Sequence, residues 1–228
     1  MKGRRFLQGI GLFAGVILPL QVPAVWAGDD FQYWQGMEIK KKLSPQWEFA
    51  FLPEIRIRDD ASEYFYHEFR ESIRYKPFKN LTIGANYLFA RNGSSGKPRD
   101  EHSAELEATP KTTVGPLELS LRGRISLRTI ERSAGEQEFQ LRLLPKLAYP
   151  TQCAGHKVTP YIANDFFYDF TADAWNQHRT FLGMVIPLGE WKGVTTSIDM
   201  YYMIQSQRSV RKDWNTNHVL GSKLFVQF

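Results

Sequence analysis

The chain has 228 residues, of which 43% are apolar, 14% aromatic and 23% charged, with 29 basic against 24 acidic side chains. That is too apolar for a disordered chain, and a mean hydropathy of −0.39 is too polar for a bundle of membrane helices. A single cysteine excludes a disulfide framework and a Cys-rich zinc site.

The first 27 residues read as a secretory signal. Lys2, Arg4 and Arg5 precede a mostly apolar run that is broken by Pro19 and Pro23. Val25-Trp26-Ala27 suits a cut after Ala27, leaving residues 28–228 as the mature domain. The signal carries three basic and no acidic residues, so the mature chain has 26 basic against 24 acidic ones. That near-balance removes the electrostatic case for a nucleic-acid partner. Export would place Cys153 in an oxidising compartment, as a buried or turn thiol or as an intermolecular disulfide.

From residue 31 onward the period is two. Over residues 46–58 the odd positions are Trp47, Phe49, Phe51, Pro53, Ile55 and Ile57, and the even ones are mainly charged. Over residues 117–128 Leu117, Leu119, Leu121, Ile125 and Leu127 alternate with Glu118, Arg122, Arg124 and Arg128. Such alternation predicts long strands with one apolar and one charged face. Eleven segments fit: 31–43, 46–58, 64–76, 81–91, 101–113, 117–128, 138–149, 158–170, 177–188, 194–205 and 217–228. Soluble strands run about 5–6 residues, whereas tilted strands of about 9–11 cross a bilayer. The connections alternate too. Those at 44–45, 77–80, 114–116 and 189–193 are short, with 150–157 a long exception. Those at 59–63, 92–100, 129–137, 171–176 and 206–216 are longer and polar. Short turns at one end and longer loops at the other are the pattern of outer-membrane barrels.

Trp34, Trp47, Tyr75, Phe78, Tyr149, Tyr161, Trp175, Trp191 and Trp214 fall near segment ends, where such barrels carry aromatic girdles. At the C-terminus Leu220, Ser222, Leu224, Val226 and the final Phe228 alternate. Leu224, Val226 and Phe228 resemble the signal read by the outer-membrane barrel assembly machinery. The expected fold is all-β: a single antiparallel up-and-down transmembrane barrel of ten to twelve strands. Parity leaves segment 31–43 open. It lies within the barrel, or a twelfth strand exists, or an odd count closes through one parallel pair.

Further motifs carry a resemblance. They are Phe31-Gln32-Tyr33-Trp34, the run Glu38 to Ser44 followed by Trp47, and Arg56-Ile57-Arg58-Asp59-Asp60. Pro160-Tyr161, Asp199-Met200-Tyr201-Tyr202 and His218-Val219-Leu220-Gly221 complete the set. In this order, over nearly the whole mature chain, they resemble a family of uncharacterised bacterial outer-membrane β-barrel proteins, a domain of unknown function. The resemblance implies a barrel in the outer membrane, among lipid and lipopolysaccharide. It implies no substrate and no catalytic residue.

The charged face would line the lumen. Arg70, Arg74, Arg122, Arg124, Arg142, Asp165, Arg179 and Asp199 are the candidate lining residues, beside Glu48, Glu54, Arg56, Glu68, Lys146 and Asp169. Two readings follow: the charges pair and plug a narrow interior, or arginines line a pore that favours anions. A small or gated channel, or a structural barrel, is the expected function.

Two alternatives stand beside it. His67, His102, His178 and His218 would lie at one height near the long-loop ends, and Ser62, Ser72 or Ser103 could reach one of them, as in a lipid hydrolase. Gly-x-Ser-x-Gly is absent from the sequence. A soluble periplasmic ligand carrier would need the two faces reversed. No cofactor or metal is expected, since neither His-Glu-x-x-His nor an acidic calcium loop occurs.

Overall fold

The computed structural model describes residues 30–93, 98–131, 137–208 and 213–228. The expected signal segment and its expected cut after Ala27 lie outside the described residues. The chain forms β1 (Asp30–Lys42), β2 (Trp47–Arg58), β3 (Glu63–Phe78), β4 (Leu81–Asn92), β5 (Arg99–Val114) and β6 (Leu117–Ile130). It continues through β7 (Gln137–Ala148), β8 (Thr151–Cys153), β9 (His156–Asp169), β10 (Ala174–Trp191), β11 (Val194–Arg208) and β12 (Trp214–Gln227). All eleven segments read from the alternation are strands. The long connection at 150–157 holds the short β8, which pairs only with the start of β9. Cys153 is exposed in that hairpin, a turn thiol rather than a buried one.

The other eleven strands close a ring. Each pairs with its sequence neighbours, β7 passing directly to β9, and β1 meets β12 along Asp30↔Asn217 to Lys40↔Gln227. That last seam is parallel and every other seam is antiparallel. The expectation of a wholly antiparallel barrel is corrected at this one place. The reason is arithmetic: in an up-and-down ring of odd count the first and last strands run the same way. The open question about residues 31–43 is thereby answered, because they form β1 as a full member of the wall.

Parallel closure puts the start of β1 and the end of β12 at opposite ends of the barrel. Asp30 lies at the long-loop end, where its Oδ1 accepts from the Asp59 and Asp60 N–H groups at 2.9 and 3.4 Å. Asp59, Asp60 and Ala61 have φ of 56°, 54° and 60°, a costly run of left-handed residues that this carboxylate holds in place. Phe228 lies at the short-turn end, with its N–H bonded to the Lys40 carbonyl at 2.9 Å.

The two faces of the wall are sorted by polarity. Ile55, Phe69, Ile73, Leu106, Leu121, Ile125, Leu182 and Met200 point outward and are exposed, Leu106 to 67%. Glu48, Glu68, Glu105, Glu107, Arg124 and Asp165 point inward and are buried. Trp47 packs on Tyr75 at 4.7 Å on the outer surface, and Trp175, Trp191 and Trp214 lie exposed near strand ends. Trp34 and Tyr161, placed by their sequence position in the aromatic girdle, are inside instead, exposed to 3% and 7%. Inward rings find room over glycine: a Cβ on Gly221 would meet Tyr201 Cζ at 2.0 Å, and one on Gly183 would meet Tyr161 Cζ at 2.5 Å. Both are cross-strand pairs in register.

Candidate functional site: the charged lumen

Two cavities among the described residues lie in the interior. The upper, of about 560 Å³, opens toward the long-loop end and reaches Asp30, Arg58, Asn92 and Arg208. The lower, of about 300 Å³, extends toward the short-turn end past Glu38, Lys146 and Lys223. Both touch Trp34, Arg56, Glu68, Arg70, Arg142 and Arg179, which form the waist between them.

All eight candidate lining residues, Arg70, Arg74, Arg122, Arg124, Arg142, Asp165, Arg179 and Asp199, line the lower cavity, and Arg70, Arg142 and Arg179 also reach the upper one. The even or odd parity of each strand puts them there, because only one face of a strand can look inward.

Carboxylates bind most of the guanidinium groups. Arg56 meets Glu54 at 2.8 Å and Glu68 at 3.2 Å. Arg70 joins Glu68 and Glu105, both at 3.1 Å. Arg124 meets Glu107 at 2.7 Å and Glu105 at 3.2 Å, and Arg74 meets Glu38 at 2.6 Å and Glu48 at 3.4 Å. Arg142 holds Asp165 at 2.5 Å, with Arg122 at 3.8 Å from the same oxygen. Asp199 is bound differently: the Tyr161 hydroxyl lies 3.0 Å from both its oxygens.

Several of these partners were not singled out in the sequence. Glu105 and Glu107 alternate with Ala104, Leu106 and Ala108, so the period-two rule could have marked them. Glu38 is harder to find, because its partner Arg74 lies two strands away and the pair spans β2. Phe167 carries no sequence signal beyond its parity, and the signals at Trp34 and Tyr201, a place near a segment end and in the family motifs, did not mark them as lumen residues.

The four histidines share a different arrangement. His67, His102, His178 and His218 occupy outward positions toward the long-loop end. Tyr64 and Tyr202 hydroxyls meet the Nδ1 atoms of His67 and His218, and Tyr87 meets that of His102 at 2.7 Å. His178 packs against the Trp214 ring at 5.5 Å. Ser72 and Ser103 are both 2% exposed and point into the lumen. The barrel wall therefore separates these hydroxyls from the imidazoles. Ser62 Oγ donates to the Asp59 carbonyl in the turn. A nucleophile and its base must touch, and among the described residues these serines and histidines do not.

Residues 31–216 match the model of the family described as a protein of unknown function, DUF2490. The chain belongs to this family. The match runs from β1 to the start of β12, so the DUF2490 domain and the eleven-stranded ring cover nearly the same residues. Searches of the curated proteins and of the solved structures returned no match.

Proposed function

We propose that this DUF2490 protein is exported to the outer membrane of a Gram-negative cell and spans it as a barrel. Its ion-paired lumen is a small, gated passage. The inverted polarity of the wall carries the reading: apolar side chains face out and charges face in. In water that arrangement leaves a large apolar surface exposed, which soluble monomers avoid. In a bilayer it satisfies both faces. Strands of 12 to 18 residues exceed the roughly 9–11 needed to span. The loop asymmetry supports the same placement, with the lipid, the lipopolysaccharide and the barrel assembly machinery as partners. A soluble carrier would need the faces reversed, and the hydrolase reading gains no dyad from the histidines.

The waist supports gating over a permanently open pore, because the side chains crossing it are largely ion-paired. Arg179 is the exception at the waist, with Gln205 Oε1 rather than a carboxylate as its acceptor, and below the waist the Arg122 side chain is 30% exposed and faces the lower cavity. Two experiments test the parts separately. A heat-modifiable band that stays with the detergent fraction supports the barrel in the membrane, while extraction by salt alone overturns it. Discrete, anion-favouring conductance in a planar bilayer supports the passage, and reversal of that preference in the Arg122→Glu/Arg124→Glu double variant would assign it to these arginines. A folded but silent barrel removes the passage and leaves the membrane barrel.

A further inference from the structure

Six side chains from six strands stack across the waist of the lumen. Tyr66 of β3, Arg56 of β2, Trp34 of β1, Arg179 of β10, Phe167 of β9 and Arg142 of β7 alternate ring with guanidinium. The successive carbon-to-centroid separations are 4.0, 3.8, 4.9, 4.8 and 4.4 Å. Trp34 bridges from β1 toward β10 because its indole lies on Met203 of β11 and Val219 of β12.

The charges along this stack are not evenly matched. Arg56 has two carboxylates. On the wall from β6 to β10, Arg122, Arg142 and Arg179 share one nearby carboxylate, Asp165, which binds Arg142. Among the described residues no carboxylate lies within ion-pair distance of Arg179. Its Nε donates to Gln205 Oε1 at 2.9 Å, and the Gln177 amide oxygen, turned to suit its neighbours, accepts from Nε and Nη2 at 2.9 and 3.0 Å. Arg142 Nε is buried without an acceptor, and so is Ser103 Oγ on β5. Arg142, Arg179 and Ser103 all line the upper cavity.

Rings stacked on a guanidinium fix its plane, so an N–H not already bonded, such as Arg142 Nε, can meet an oxyanion only in that plane. Buried positive charge without a counter-charge is costly, and an anion from solution removes that cost. We propose that the upper cavity is a binding site for a small solute bearing a carboxylate or phosphate group. Arg142 holds the oxyanion, Arg179 beyond the Phe167 ring adds its positive charge, and the rest of the solute occupies the volume toward the long loops. The inference rests on the barrel reading above but not on conduction.

The test uses the mature chain refolded in a zwitterionic detergent, with gel migration as the folding control. Inorganic phosphate and succinate are titrated separately at an ionic strength fixed with sodium chloride, followed by calorimetry and tryptophan fluorescence. At least one of them binds saturably with a dissociation constant below about 1 mM, and which of them binds tells phosphate from carboxylate. The fluorescence change disappears in Trp34→Phe while the heat remains. Binding weakens at least tenfold in Arg142→Gln and in Arg179→Gln and is unchanged in Arg91→Gln, which alters an exposed side chain at the rim. Absence of saturable binding by folded wild-type protein overturns the proposal, as does wild-type affinity in both lumen variants. Should those variants fail to fold, a fluorescence change that depends on Trp34 still places the anion at the stack, and heat without it refutes the placement. A barrel that binds but does not conduct loses the passage and keeps this site; one that conducts but does not bind does the reverse.

Discussion

Replacing Arg124 with leucine removes the most deeply buried cation of the lumen. Its side chain is 4% exposed and makes three contacts: Nη2 and Nε to Glu107 at 2.7 and 3.1 Å, and Nη1 to Glu105 at 3.2 Å. Glu105 retains Arg70 at 3.1 Å. Glu107 does not fare as well. Directly opposite it on β4 is Gly84, which offers no side chain, and its remaining cation, Arg74 Nε, is 4.0 Å away. Arg124→Leu therefore strands one buried carboxylate, and removing one partner of a buried pair costs about 3–5 kcal/mol. Total stabilities of about 5–15 kcal/mol make that a large fraction. Changing Glu107 as well, in Arg124→Leu/Glu107→Leu, removes the stranded charge and recovers more than half of the loss. The assay is urea unfolding of the refolded barrel, read by tryptophan fluorescence and gel migration. The reasoning fails if Arg124→Leu lies within about 1 kcal/mol of wild type, the scale of an exposed pair. It fails equally if the double variant is less stable than the single one.

Leu106 is 67% exposed at the middle of β5, so Leu106→Lys tests what surrounds the wall. Folding into lipid vesicles weakens by about 2–4 kcal/mol if the residue faces the bilayer midplane. A change under about 0.5 kcal/mol is what a water-facing site would give, and it would sink the assignment. Gly221→Ala drives a methyl group into the Tyr201 ring, so unfolding shifts by about 1–3 kcal/mol. In Gly221→Ala/Tyr201→Ala the combined loss is smaller than the two single losses together, and additive losses would mean the ring is not the obstacle. Closure places the turn at Ser62 and the native Cys153 at opposite ends of the barrel. A membrane-impermeant maleimide applied to intact cells labels Ser62→Cys and spares Cys153; labelling of Cys153 alone would invert the proposed orientation.

The strands were legible because alternation is a local property. Leu117 to Arg128 spells out both faces of β6 with no reference to any partner. Direction of pairing is not local. Nothing within Asp30–Lys42 marks it as parallel to β12, since that follows from counting every strand in the ring. Girdle and lumen aromatics also look alike in sequence. A tryptophan near a strand end reads as interfacial, yet Trp34 has inward parity, shared with Gln32 and Glu38, and lies on Met203 and Val219. Partner choice across the lumen was the least accessible feature. Glu38 reaching Arg74 across β2 depends on wall curvature and strand stagger, which no single strand encodes.

The lumen is two different electrostatic environments around one ring. From β1 to β6, Glu38, Glu48, Glu54, Glu68, Glu105 and Glu107 interlock with Arg56, Arg70, Arg74 and Arg124, so each cation has at least two carboxylates within 4.0 Å. From β6 to β11 the order is reversed, with several cations around Asp165, while Asp199 is held by a tyrosine hydroxyl and Lys146 lies over the Tyr161 ring at 3.6 Å. The same substitution therefore has different consequences on the two arcs. Loss of a cation on the first leaves a carboxylate without its partner and is read as instability. Loss of Arg179 on the second relieves repulsion from neighbouring arginines and strands no acid. Arg179→Gln should thus fold at least as well as wild type while binding anions more weakly, and a variant as unstable as Arg124→Leu would show that the arginine-rich arc is structural.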